Sequence, residues 1–183
     1  MNTQTNYLFI SERLGFRNWQ DNDLDAFAAM NADPDVMEFF PKTLSHKSSL
    51  LLMEKLMKHY EENQHTYFAV DILKTGECIG FIGLVKQEYD APFTPCVDIG
   101  WRLAKSFWGK GYATEGARRC LEYGFEFLNL REIYAVATPI NLPSIRVMEK
   151  IGMQKAGTFI HPKLTDNKRL RDCVYYVIDN EDS

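Results

Sequence analysis

The chain lacks the residues that staple a fold or hold a metal. Its four cysteines, Cys78, Cys96, Cys120 and Cys173, form no C-x-x-C pair, and the apolar neighbours of three of them read as a reduced core rather than a disulfide framework. The four histidines, His46, His59, His65 and His161, are scattered, so no zinc motif forms and no metal is expected. Positive charge is not in excess: 21 Lys+Arg against 25 Asp+Glu give a net charge of −4. That removes the global electrostatic case for a nucleic-acid partner and is weakly compatible with a cationic amine or basic peptide. No apolar run reaches the length of a membrane span. The opening Met1-Asn2-Thr3-Gln4-Thr5-Asn6 is polar, without the apolar core of a signal peptide. These absences point to a cytoplasmic chain with no membrane partner.

What is present is ordinary in bulk and specific in pattern. A chain of 183 residues, 45% hydrophobic and 25% charged, is long enough to bury a full core as one domain over 1–183. Strand patterns fall at Tyr7 to Ile10, Leu14 to Arg17, Tyr67 to Leu73, Cys78 to Lys86, Val97 to Leu103, Ile133 to Thr138, Gln154 to Ile160 and Asp172 to Ile178, with a hairpin turn at Thr75-Gly76. Four helices are expected. The first follows the capping residues Asp21-Asn22 and presents Leu24, Phe27, Ala28 and Met30. The second runs from near Ser45 to about Glu62 with Leu52, Leu56 and Tyr60 inward. The third carries Ala113, Ala117, Cys120, Leu121, Gly124, Phe125 and Leu128 on one face. The fourth opens near Asn141, holds Pro143 in its first turn and stops at Gly152. Strands and helices in this order make an α+β or mixed α/β sheet.

The most informative stretch joins the Val97 to Leu103 strand to the third helix through Trp108-Gly109-Lys110-Gly111-Tyr112-Ala113-Thr114. A strand, a glycine-bearing turn and a helix start form an anion site, because free backbone N–H groups point outward and the helix dipole favours negative charge. Gly109 and Gly111 permit close approach of the backbone. The dinucleotide pattern G-x-G-x-x-G fails at Thr114, and the next strand ends in Thr138 rather than an acidic residue. No stretch supplies a Walker loop.

The loop resembles the acyl-CoA-binding loop of the GCN5-related N-acetyltransferases (GNAT), Gln/Arg-x-x-Gly-x-Gly/Ala, with Trp108 standing where the family carries Gln or Arg. The resemblance covers nearly the whole chain. Glu12-Arg13-Leu14 with Phe16-Arg17 looks like the opening strand of the RimJ/RimL-like branch, which acetylates protein N-termini and some small amines. Gly80-Phe81-Ile82-Gly83-Leu84 resembles its central strand, and Asn141 to Met153 its second CoA-contacting element. The resemblance implies the GNAT fold: a mixed, mostly antiparallel sheet flanked by about four helices and splayed where CoA enters.

It also implies roles. Acetyl-CoA would be the co-substrate, held through Trp108, Gly109, Lys110, Gly111, Tyr112, Ala113 and Thr114 at its pyrophosphate. The strand residues Ile99, Trp101 and Leu103 would pair with its pantetheine arm, and a backbone N–H there would polarise the thioester. Lys110 either adds charge near the phosphates or is simply solvated. Asn141 either caps its helix or bonds the pantetheine arm. Ser144 either protonates the departing thiolate or bonds backbone. Three groups are candidate bases, in the order His161, Asp98, Glu88. His161 has an unperturbed pKa suited to neutral pH. Asp98 lies beside the thioester position, and Glu88 instead could attract a substrate ammonium. Phe39 and Phe40 fall in the segment that walls the acceptor site in relatives. The irregular segments from Gln87 to Cys96 and His161 to Leu170 are candidate substrate rims.

The expected activity is acetyl transfer to a primary amine, a protein N-terminus or a small molecule, by direct attack in a ternary complex, in a monomer or homodimer. Two rivals remain at this stage: a non-catalytic acyl-CoA-binding or regulatory module, and a nucleotide-binding protein using the same glycine loop.

Overall fold

A computed structural model describes residues 6–180; the polar opening segment lies outside them up to residue 5. Among the described residues eight strands form one sheet: β1 (Phe9–Ile10), β2 (Leu14–Arg17), β3 (Tyr67–Ile72), β4 (Glu77–Gln87), β5 (Cys96–Leu103), β6 (Glu132–Ala137), β7 (Gln154–Ile160) and β8 (Asp172–Asp179). Their order is β1-β2-β3-β4-β5-β6-β8-β7. Neighbours run antiparallel except β5 and β6, which are parallel. Parallel strands need a crossover, and the third helix supplies it. The helices are α1 (Leu24–Ala32), α2 (His46–Asn63), α3 (Tyr112–Glu122) and α4 (Leu142–Lys150). No helix among the described residues is long and apolar enough to cross a membrane.

Most expected elements appear within a residue or two of their sequence boundaries, and two differ for physical reasons. The first helix does not start directly after Asp21-Asn22: a 3-10 turn over Asp21–Asp23 precedes it. Asp23 accepts the Gln20 N–H at 2.8 Å and two bonds from Arg17 at 2.6 and 2.8 Å. Arg17 also donates to both oxygens of Asp71, at 2.7 and 2.8 Å. One buried guanidinium thus ties β2, β3 and the entry to α1 together, with two carboxylates matching its fork. The third helix does not run as an α-helix to Leu128. Its backbone widens into a π turn over Tyr123–Phe127, where Tyr123 stacks on Phe9 and Phe127.

The sheet carries a core on each face. Leu14, Phe16, Phe68, Ile82, Leu84, Ile99 and Leu103 pack with Ala117 and Cys120 of α3 and Met148 of α4. Trp19, Phe27, Met30, Met53, Leu56, Ala69 and Phe81 make the second core under α1 and α2. At β5 the alternation of a strand divides these faces: Ile99, Trp101 and Leu103 turn one way, Asp98, Gly100 and Arg102 the other.

β5 pairs with β4 along its entire length, from Gln87↔Cys96 to Gly80↔Leu103. With β6 it pairs only at Asp98↔Tyr134. Beyond Asp98 the two strands part, and the edge of β5 is left open.

Candidate active site

A cavity of about 700 Å³ occupies the parting of β5 and β6 and reaches both faces of the sheet. One end is built from backbone. Gly109 and Gly111 adopt φ of +73° and +82°, the left-handed region that strains a side-chain-bearing residue. Gly111 is the residue before α3, and no side chain caps that helix. The first amide of the helix region to find a protein acceptor is that of Glu115, bonded to the Gly111 carbonyl at 3.0 Å. The N–H groups from Gly109 to Thr114 have no protein acceptor among the described residues. A run of oriented donors at a helix N-terminus is a site for a phosphate-like anion.

The loop is braced from outside the cavity. Glu115 accepts from the Arg13 backbone and Nε, at 2.8 and 2.6 Å, and from the Ser11 hydroxyl at 2.7 Å. Arg13 Nη1 also reaches the Lys110 carbonyl at 3.1 Å. Trp108 donates its indole N–H to the Leu103 carbonyl at 2.7 Å, tying the loop to the last residue of β5. Facing this end across the cavity is α4. Its cap is Asn141, whose side-chain oxygen accepts the Ser144 N–H at 3.2 Å. The capping role is therefore filled by the oxygen, and the Asn141 amide nitrogen and Ser144 hydroxyl make no hydrogen bond among the described residues.

The other end is built from side chains on the α1 face of the sheet. Tyr67 lies flat over Gly100, where a Cβ would come within 2.9 Å of its ring, and stacks on Phe81 at 5.0 Å. This aims its hydroxyl at Asp98, to which it donates at 2.7 Å; Gln87 donates to the other carboxylate oxygen at 3.1 Å. Burial pushes the Asp98 carboxyl up to about 6, against the opposing pull of these two bonds. Burial and the neighbouring Asp98 charge raise the Tyr67 hydroxyl well above the ordinary tyrosine value, so Tyr67 remains a donor. Phe39 and Phe40 form the outer wall. The segment that bears them is pinned by Arg169, which bonds the Glu38 carbonyl at 2.6 Å and its carboxylate at 3.2 Å.

A family model described as an acetyltransferase (GNAT) domain matches residues 13–154. The chain belongs to the GNAT acetyltransferase family. It is 32% identical to a Bacillus subtilis (strain 168) protein named as the uncharacterized N-acetyltransferase YnaD, over 94% of this chain and 96% of that one. A GNAT-family acetyltransferase from Bacillus anthracis has the same fold, with a TM-score of 0.77 and 30% identity over 93% of this chain and 96% of that chain. The fold is shared too with the Vibrio cholerae spermidine N-acetyltransferase solved with CoA and spermine, at a TM-score of 0.71 and 24% identity over 91% and 95% of the two chains. The chain is accordingly an acetyl-CoA-dependent N-acetyltransferase, and its fold is the GNAT fold, among the described residues an eight-stranded mixed sheet with four α-helices.

The acetyltransferase brings most of its expected site residues to one cavity. Ile99, Trp101, Leu103, Trp108, Gly109, Gly111, Tyr112, Ala113, Thr114, Asn141, Ser144, Asp98, Phe39 and Phe40 all line it. Three expected residues do not. Lys110 is exposed and sits over the Phe107 ring, 5.3 Å away. Glu88 is exposed and paired with Lys86 at 2.7 Å, which holds its carboxyl below the usual range. His161 caps a short turn, its Nδ1 accepting the Lys163 N–H at 3.2 Å, and its ring lies 4.7 Å from that of Tyr89. Burial and then Lys163 lower its pKa.

The loop between β4 and β5 packs Phe93 against Tyr134, Tyr175 and Phe159, away from the cavity. The segment before β8 does reach the acceptor wall, through Arg169. Sequence reasoning missed Tyr67, Arg102 and Arg146, which line the cavity as well. The alternation of β5 was the available signal for Arg102, since it shares a strand face with Asp98.

Proposed function

We propose that the acetyltransferase moves the acetyl group of acetyl-CoA directly to a primary amine in a ternary complex, as a RimJ/RimL-like enzyme. The observation that carries this reading is the opening of β5 from β6 just beyond Asp98, onto the unpaired N–H groups of Gly109 to Thr114. The glycine loop would hold the pyrophosphate through those donors. The free edge of β5 from Ile99 to Leu103 would take the pantetheine arm, and one of its amides would hold the thioester oxygen. A preorganised donor to a developing oxyanion is typically worth ~2.7–4 kcal/mol. The Asn141 amide nitrogen would add a bond to the arm.

The acceptor amine attacks the carbonyl carbon, the new C–N bond forms and the C–S bond breaks. Ser144 gives its hydroxyl proton to the departing sulfur and takes one back from solvent. Asp98 takes the ammonium proton through water, with Tyr67 orienting its carboxylate; a pKa of about 6 leaves it mostly ionised at neutral pH. Asp98 takes precedence here over His161 and Glu88, because it alone of the three lines the cavity. An α-amine, with pKa ~7.7–8.0, needs less help from a base than a lysine at ~10.4.

The test is thiol release from acetyl-CoA with a panel of primary amines and mass measurement of the products. Amine-dependent release with one acetyl group added to the amine is the expected result. Release independent of amine, or an acetylated intermediate on the protein, would refute direct transfer.

A further inference from the structure

The acceptor end of the cavity contains a cation without a counter-ion. Arg102 lies on the same face of β5 as Asp98 and lines the cavity. Its guanidinium sits over the ring of Phe40 at 4.0 Å and that of Phe81 at 5.2 Å. Its hydrogen bonding to protein is a single contact, Nη1 to the neutral side-chain oxygen of Asn31 at 2.6 Å. Nε is buried with no partner, and no carboxylate pairs with Arg102 among the described residues. The same chain shows what a structural buried arginine looks like: Arg17 engages Asp23 and Asp71 with four charge-assisted bonds. Burial brings the Arg102 guanidinium down to about 10, which still leaves it charged at neutral pH.

The other charges around it are already committed. Asp35 is paired with Lys105, and Glu38 with Arg169 at 3.2 Å. Asp98 accepts from Tyr67 and Gln87. The remaining cations of the lining, Arg146 and Lys150, belong to α4. The acceptor end therefore offers a part-buried guanidinium stacked on aromatic rings and no free acidic row. A chamber for a polycation would need the reverse. A planar guanidinium with most of its N–H donors unused by protein fits a carboxylate.

From this arrangement, and resting on the acetyl-transfer reading above, we infer that Arg102 is the acceptor anchor and that the acceptor is an amine carrying a carboxylate, of the amino-acid class, rather than a polyamine. Arg102 would grip the carboxylate from within the Phe40 and Phe81 rings. The amine would then lie toward Asp98, four residues back on the same strand face and about 13 Å away between Cα atoms.

The experiment titrates CoA-saturated protein calorimetrically with matched compounds: α-, β- and γ-amino acids, the primary amide of each, and diamines of the same length. The expected result is that at least one amino acid binds roughly 10- to 100-fold more tightly than its amide, with the diamine weaker still. Arg102→Met should erase that preference and Arg102→Lys should retain part of it. The acetyl-CoA thermal shift of each variant reports that it has folded. Amides or diamines binding as well as the acids would overturn the inference. So would a preference that survives Arg102→Met, or no binding of any acid at millimolar concentration. Thiol release on the same compounds separates the two readings. An Arg102-dependent acid preference without release would refute acetyl transfer and keep the anchor. Release with diamines but not acids would do the opposite.

Discussion

The two ends of the cavity are made of different material. The glycine-loop end is a matter of backbone: left-handed glycines at 109 and 111, uncapped amides, an open strand edge. The acceptor end is a matter of side chains drawn from distant segments: Tyr67 from β3, Asp98 and Arg102 from β5, Phe39 and Phe40 from the stretch after α1. Backbone donors demand only a conformation, so many side chains are tolerated around them. Side-chain sites demand identity, and a change of one group alters what is bound. One end can therefore be common to relatives with different acceptors while the other differs.

The comparison can be broken first at the acceptor end. Asp98→Asn should lower turnover by ~10²–10⁴-fold, the usual value of a general base, and leave acetyl-CoA affinity unchanged. Steady-state kinetics with binding calorimetry checks both halves. A linked expectation concerns pH. The base acts in its deprotonated form, and burial raises its pKa to about 6, so kcat/KM should show a limb falling below that pH, separate from the titration of the acceptor amine. The limb should disappear in Asp98→Asn, and a limb that persisted would belong to another group.

At the backbone end, Gly111→Val places a β-branched residue at φ +82°. Strain of ~1–3 kcal/mol should weaken acetyl-CoA binding by roughly 5- to 150-fold. The cause is conformational rather than steric, since the nearest atom to a Cβ there is Arg13 Nη2 at 3.5 Å. Gly111→Asn, which tolerates the left-handed region better, should lose less. Ser144→Ala should lower turnover more than cofactor affinity, and equal losses would mean that the hydroxyl binds rather than protonates. The smallest effect is expected at Trp108→Phe. It removes the indole bond to the Leu103 carbonyl, worth about 1 kcal/mol, and should raise the KM for acetyl-CoA a few-fold with kcat unchanged.

The same division explains what could be read before the fold was known. The glycine loop, its flanking strand and helix, and the Asn141 to Gly152 helix are contiguous segments whose local chemistry is written in order. The residues singled out there all line the cavity except Lys110, because a lysine beside a glycine loop can point either way. The base was ranked by intrinsic pKa, which favoured His161. Topology sets where that histidine lies: β8 separates β7 from β6, and the turn after β7 packs on Tyr89 of the long loop rather than at the parting of β5 and β6. Trp108, which departs from the motif, ties the loop to the end of β5 through its indole bond to the Leu103 carbonyl. Tyr67 and Arg102 were illegible singly, since each gains its role from a neighbour on another strand. Tyr67 needs Gly100 beneath it, and Arg102 stands out because the carboxylates of the same cavity are engaged by other partners.

The central claim is that the cavity between β5 and β6 takes acetyl-CoA through the Gly109 to Thr114 amides. Thermal unfolding with and without acetyl-CoA, with NAD and ATP as controls, tests it most directly. Ligand at 100 times Kd stabilises by about 2.7 kcal/mol, which for a chain of this size means a rise of roughly 5–11 °C. The account predicts that rise with acetyl-CoA, little with NAD or ATP, and a smaller rise in Gly111→Val. No shift at saturating acetyl-CoA, or an equal shift with ATP, would contradict it.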